Sequence, residues 1–71
     1  MATSVLAPMV GQIIKVLVKP GDKVNENDTI ATIEAMKIEM PIAAPVSGTI
    51  KEIKVSEGQT VEADMEIAII E

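Results

Sequence analysis

The chain has 71 residues, a formal net charge of −5 at pH 7, six cations that are all lysines, and no Cys, His, Phe, Tyr or Trp. That length supports one domain with a small core and no disulfide staple. Without thiols, imidazoles or aromatic rings the chain is short of metal ligands, nucleophiles, proton shuttles and stacking platforms for bases, and its acidic balance opposes phosphate backbones. Nucleic-acid binding, metal binding and most enzyme mechanisms are disfavoured. No apolar run approaches the roughly 20 residues that cross a bilayer, and no basic segment leads into an apolar one at the start. Membrane insertion is therefore not expected, and a cytoplasmic location is.

In chain order, Met1-Ala2-Thr3 carries no structural signal and is expected to fray. Ser4 to Ala7 is short, apolar and stopped by Pro8, which predicts a first strand. Gln12 to Val18 is rich in β-branched residues and predicts a second. Pro20-Gly21-Asp22 and Asn25 to Asp28 are turn signals. Gly11, Gly21, Gly48 and Gly58 are read as backbone requirements of turns, because none has a phosphate-binding spacing.

Thr29 to Ala35 then climbs to the stretch Glu34-Ala35-Met36-Lys37-Ile38-Glu39-Met40. A two-residue turn at Met36-Lys37 sets Ala35 opposite Ile38, Glu34 opposite Glu39 and Ile33 opposite Met40. One face then carries Ala31, Ile33, Ala35, Ile38, Met40 and Ile42, and the other Thr32, Glu34, Glu39 and Pro41. Neither Met nor Lys favours the positive φ that such a turn requires, so the choice of these residues has a reason other than turn stability. Met36 is expected to be half exposed, with a flexible side chain suited to repacking against partners. Glu34 and Glu39 form no convincing catalytic pair, since no enclosing pocket is evident, and the chain is expected to have no catalytic residues.

The second half of the chain repeats the first. A shift of 37 residues places Ala7 on Ala44, Pro8 on Pro45, Gly11 on Gly48, Ile13 on Ile50, Gly21 on Gly58, Val24 on Val61, Ile30 on Ile67 and Ile33 on Ile70 without a gap. Each copy is too small to bury its own apolar face. The expected result is an all-β antiparallel sandwich or flattened barrel whose halves are related by a pseudo-twofold axis, with Lys37 at the seam and the chain termini at the opposite end. Ile13, Val16 and Val18 match Ile50, Ile53 and Val55 and are the predicted core. Ile14 and Leu17 match Lys51 and Lys54 and are predicted to be exposed, either as partner contacts or with one of them tucked against a neighbouring loop. The spacing of 13, 16 and 18 implies a bulge near Lys15, and that of Ile30 and Ile33 a second irregularity.

Glu-Ala-Met-Lys at a hairpin tip, with Ala7-Pro8-Met9 before it and Ala44-Pro45-Val46-Ser47-Gly48 after it, resembles the biotinyl domain of biotin-dependent carboxylases and decarboxylases, the biotin carboxyl carrier protein family. The resemblance runs from about Val5 to Ile70. It implies two four-stranded sheets related by the pseudo-twofold axis, and a non-catalytic carrier with biotin attached covalently to Lys37. Met36 and Ile38 are then the flanking recognition residues, and Glu34 and Glu39 are candidates for recognition by the ligase. Ile38 departs from the family's usual second Met; it keeps apolar bulk and is expected to alter how the tip meets partners more than whether Lys37 is modified.

The implied partners are a biotin protein ligase, a biotin carboxylase and a carboxyltransferase or decarboxylase. Lysine and the biotin side chain together would reach on the order of 15 Å. Two other readings are carried forward. One is a lipoyl carrier of the same fold, although the lysine there usually follows Asp and precedes Ala. The other is an unmodified interaction module.

Overall fold

The alternation of apolar and polar residues becomes eight strands in a computed structural model that describes residues 2–71. They are β1 (Thr3–Leu6), β2 (Gly11–Val16), β3 (Lys23–Val24), β4 (Thr29–Ala35), β5 (Ile38–Ala43), β6 (Gly48–Ile53), β7 (Thr60–Val61) and β8 (Glu66–Ile70). They form two four-stranded sheets, ordered β1-β8-β6-β3 and β5-β4-β2-β7, and every pairing is antiparallel. Each sheet therefore takes two strands from each copy of the repeat. Neither copy owns a sheet, which is the structural form of the expectation that neither could bury its apolar face alone.

The inward side chains close a dry core. Ile13, Ile30, Ile33, Ile50, Ile67, Ile70, Val5 and Val61 are fully enclosed, with Val16, Val18, Met40 and Ile53 packed against them from the margin. No polar or charged side chain is buried among the described residues, so desolvation costs fall on backbone groups that the ladders satisfy. Met1 lies outside the described residues.

The repeat is visible at the level of single defects. Register slips at Ile14 on β2 and at Lys51 on β6, the same position in the two copies. It slips again at Ile30 on β4 and at Ile67 on β8. Gly21 and Gly58 have φ of 96° and 90°, and Asn27 and Asp64 have φ of 76° and 68°. The turns are capped alike as well: the Lys19 N–H donates to Asp22 Oδ2 at 3.0 Å and the Ser56 N–H to Gln59 Oε1 at 3.0 Å. The Asn25 N–H donates to Asp28 Oδ2 at 2.8 Å, and the Glu62 N–H to the softer Met65 Sδ at 3.2 Å.

Several expectations need correction. Thr3 belongs to β1, where it pairs with Ile70, and so does not fray. β2 begins at Gly11 and ends at Val16 rather than running from Gln12 to Val18. Ile14 is half-buried rather than exposed, because it is the inserted residue of the bulge and leaves the in-and-out alternation; Leu17 is exposed as expected. Gly11 and Gly48 are not turn glycines but open strands. A Cβ on Gly11 would stand 2.6 Å from the Glu34 carbonyl oxygen, and one on Gly48 would stand 2.6 Å from Ile70 Cγ2 and 3.0 Å from the Glu71 carbonyl oxygen. These two glycines let strands close onto their neighbours at the two ends of the molecule.

Those contacts also fix the ends. Gly11 lies against Glu34, just below the β4–β5 turn, and Gly48 lies against Ile70 and Glu71 beyond the other end of β5. The turn and the C-terminus are thus at opposite ends of a body 32 Å long and 17 Å in its other two dimensions.

Candidate functional site

The β4–β5 hairpin has the register that its alternation dictates: Ile33 opposite Met40, Glu34 opposite Glu39 and Ala35 opposite Ile38. Two residues remain for the turn, and both have positive φ, 52° at Met36 and 65° at Lys37. That is the φ pattern of a type I′ turn, whose twist matches the flanking strands. The other positive-φ positions are glycines, or Asn and Asp, whose short polar side chains tolerate this region. Moreover, those four come as matched pairs across the repeat, whereas Met36 and Lys37 have no mates. Long side chains held in this region cost on the order of 1–3 kcal/mol each.

The strain falls on the most outward point of the chain. Met36 is 86% exposed, against the half-exposure expected, because the turn projects past the last core layer at Ala35. Ile38 has the core-facing parity but lies beyond the same layer and is 62% exposed. Lys37, Glu34 and Glu39 are exposed. Among the described residues Lys37 takes part in no ion pair and no side-chain hydrogen bond, although Glu34 and Glu39 stand just behind it on one hairpin face. The structure therefore brings together all five residues singled out from the sequence, with the amine foremost and apolar side chains on both flanks.

The framework on which the hairpin stands is held by ordinary means. Asp22 is held below the usual carboxylate range, first by the Lys19 backbone N–H that it accepts and then by the Lys19 side chain. Glu66 is lowered in the same sense by the Ser4 hydroxyl and then by the Lys54 ammonium, 3.4 Å away. Among the described residues there is no pocket, and no group of three His, Cys, Asp or Glu side chains arranged to hold a metal ion. What the arrangement offers chemically is one accessible primary amine on a rigid mount. A carboxylic acid fits it by amide formation, since no carboxylate competes for Nζ and no side chain covers it.

One residue at this end was not singled out from the sequence. Val10, just before Gly11, is 59% exposed. Its signal was present in the repeat, where the same shift sets this valine against Ser47.

Residues 3–70 match the family model described as "Biotin-requiring enzyme". A biotin carboxyl carrier protein of Streptococcus mutans is 52% identical over 62 residues, which cover 87% of this chain and 48% of that protein, so the chain spans about half of that relative's length. A biotinylated protein homologue of Mycobacterium leprae is 36% identical over 70 residues, 99% of both chains. A probable dihydrolipoyllysine-residue succinyltransferase component of Schizosaccharomyces pombe is 41% identical over 61 residues, 86% of this chain and 14% of that protein. Among solved structures, the Kluyveromyces lactis urea carboxylase superposes with a TM-score of 0.92 at 34% identity, covering 99% of this chain and 6% of that one.

Proposed function

The chain belongs to the biotin-requiring enzyme family, and from that premise we propose that it is a biotin carrier whose attachment point is Lys37. The observation that carries the reading is the lysine's setting. A long cationic side chain occupies a strained apex at the seam of a duplicated barrel, free of any ion pair among the described residues, where a turn chosen for stability would hold Asn-Gly. Nothing in the fold needs a lysine there.

In this reading a biotin protein ligase joins the cofactor's carboxyl group to Nζ as an amide, driven by ATP, and Nζ loses its charge. When bound, biotin supplies a ring that takes up a carboxyl group at one active site and yields it at another. The chain's own contribution is presentation. Met36 and Ile38 give the ligase an apolar grip on either side of the amine, and Glu34 and Glu39 mark the hairpin face behind it. The rigid mount holds the arm out from the body, so that tethering raises the effective concentration at each partner site. Catalysis belongs to the partners, a biotin carboxylase and a carboxyltransferase or decarboxylase, and residues 1–71 work as one carrier unit.

Coexpression with a biotin ligase tests this directly. Intact mass is expected to rise by one biotinyl group, with one further unit of negative charge on native electrophoresis, and Lys37→Arg is expected to show neither change. An unshifted mass for the wild-type chain rejects the reading. Lipoyl carriage is the second reading, favoured by the similarity to the succinyltransferase component. Offering the chain to a lipoate ligase in parallel separates the two, and replacing Met36 should reduce transfer by the biotin ligase alone.

A further inference from the structure

Seven large apolar side chains are exposed among the described residues, and their distribution is lopsided. Met36, Ile38 and Val10, at 86%, 62% and 59%, are the three most exposed, and all lie at the lysine end. Val10 leads into Gly11, whose backbone lies against the Glu34 carbonyl. Leu6 and Met65 add to the same end. β1 runs from Thr3, beside Ile70, toward Leu6, and the next residue, Ala7, exchanges backbone hydrogen bonds of 2.9 Å with the segment Asp64-Met65.

The duplication supplies an internal control. At the far end the residue that matches Val10 is Ser47, whose Oγ accepts the Glu26 N–H at 2.9 Å. At the lysine end the matching N–H belongs to Ala63, and a valine has no atom to accept it. A capping hydroxyl in one copy is an exposed apolar group in the other.

Charge is lopsided too. Val61 pairs with Gly11, so Glu62 follows at the same edge, and neighbouring strands about 4.8 Å apart put it roughly 10 Å across the sheet from the β4 end of the turn. Glu34, Glu39, Glu62 and Asp64 border the apolar group, and none is in an ion pair among the described residues. At the far end Asp22 is paired with Lys19 at 3.2 Å and Glu71 with Lys51 at 3.4 Å, which leaves Glu26 and Asp28 as the unpaired side-chain carboxylates there among the described residues, two against four. Acylation of Lys37 removes the hairpin's one cation from within the acidic border.

We propose that this end is the docking face for the enzyme that uses the loaded lysine, and that this enzyme meets it with an apolar surface rimmed by lysine and arginine. The proposal rests on the carrier reading above. Charge complementarity selects this occupant over the ligase: losing the Lys37 charge strengthens attraction to a basic rim, so a ligase bound through that rim would hold its product more tightly than its substrate. The user of the loaded form has the opposite need.

The test uses the loaded chain as substrate for a biotin carboxylase purified from the native source, with ATP and bicarbonate. Two variants are compared with wild type, Val10→Ser and the double variant Glu62→Gln with Asp64→Asn. The first installs the hydroxyl that caps the matching turn, so folding is preserved, and thermal melts check this. The rate and extent of biotin loading are expected to be unchanged in both variants. KM for the loaded chain is expected to rise at least fivefold in each, and its dependence on salt to flatten in the double variant. Unchanged KM in both variants overturns the docking face. Loading slowed as much as KM is raised assigns the face to the ligase and overturns the chosen occupant. A wild-type chain that takes up no biotin overturns the carrier reading itself.

Discussion

The two ends of the molecule are built from one repeated unit and diverge in what they present. The far end pairs Asp22 and Glu71 with lysines, caps its turn with Ser47 and seats Glu71, whose N–H and C=O both bond to Thr49 at 2.8 and 2.9 Å. The lysine end leaves charges unpaired, exposes apolar side chains and forces two long residues into positive φ. Since the core beneath is symmetric, the difference is confined to residues that contribute little to folding. The comparison thus separates what the fold requires from what is added to it.

The strongest way to probe that symmetry is through the core. Ile13→Ala and Ile50→Ala, twofold mates that are both fully enclosed, are each expected to cost about 2–5 kcal/mol in urea unfolding. In so small a domain either loss is enough to leave a large unfolded fraction at 37 °C. Clearly unequal costs would mean that one copy dominates the core.

Next come the close approaches. Gly11→Ala and Gly48→Ala are each expected to destabilise by about 1–3 kcal/mol, because the new methyl meets backbone or an enclosed isoleucine that cannot retreat. The ends should differ in consequence. The Gly11 variant presses on the carbonyl of Glu34 and is expected to slow modification of Lys37, whereas the Gly48 variant should leave the rate unchanged.

The turn sharpens the contrast by moving in the opposite direction. Replacing Met36 by Asn together with Lys37 by Gly is expected to stabilise the chain by about 1–2 kcal/mol, as residues suited to positive φ take over the turn. Tm should rise by roughly 4–16 °C for a domain of this size, while modification is abolished. Asn27→Ala, at a matched positive-φ position of the framework, should instead destabilise by about 1 kcal/mol.

The smallest effect is that of pH. Asp22 and Glu66 have lowered pKa values in the folded state, so their contribution is present above the ordinary carboxylate pKa and is lost as pH falls through the folded values. Glu66 is exposed and Asp22 partly so, and a shallow loss of stability below about pH 4 is expected in urea titrations, weaker in high salt. Ser4→Ala should flatten the Glu66 part of that slope.

How much of this was legible in the sequence follows from which residues alternate and which repeat. The tip register was readable because Ile33, Ala35, Ile38 and Met40 permit one pairing, and the bulges because the 13, 16, 18 spacing breaks a two-residue period. The exchange of β3 and β7 between the copies was not, since two-residue strands carry no period and a gapless repeat does not say which copy a strand joins. Ile14 is half-buried because a bulge suspends the alternation that places its neighbours. Val10 carries the same signal as Leu17, an apolar residue whose mate in the repeat is polar. Met36 is more exposed than the expected half because parity tells which face a residue takes, not where along the strand the core stops.

The interleaved strand order has a consequence for biosynthesis. A nascent chain that has just released Lys37 from the ribosome holds the hairpin but neither complete sheet, because β7 flanks β2 and β8 is the partner of both β1 and β6. Pairings between residues as distant as Thr3 and Ile70 wait for β8. The mount for the amine is therefore complete only after translation of β8, and a chain cut short before β8 is expected to be a poor substrate for the proposed loading of Lys37.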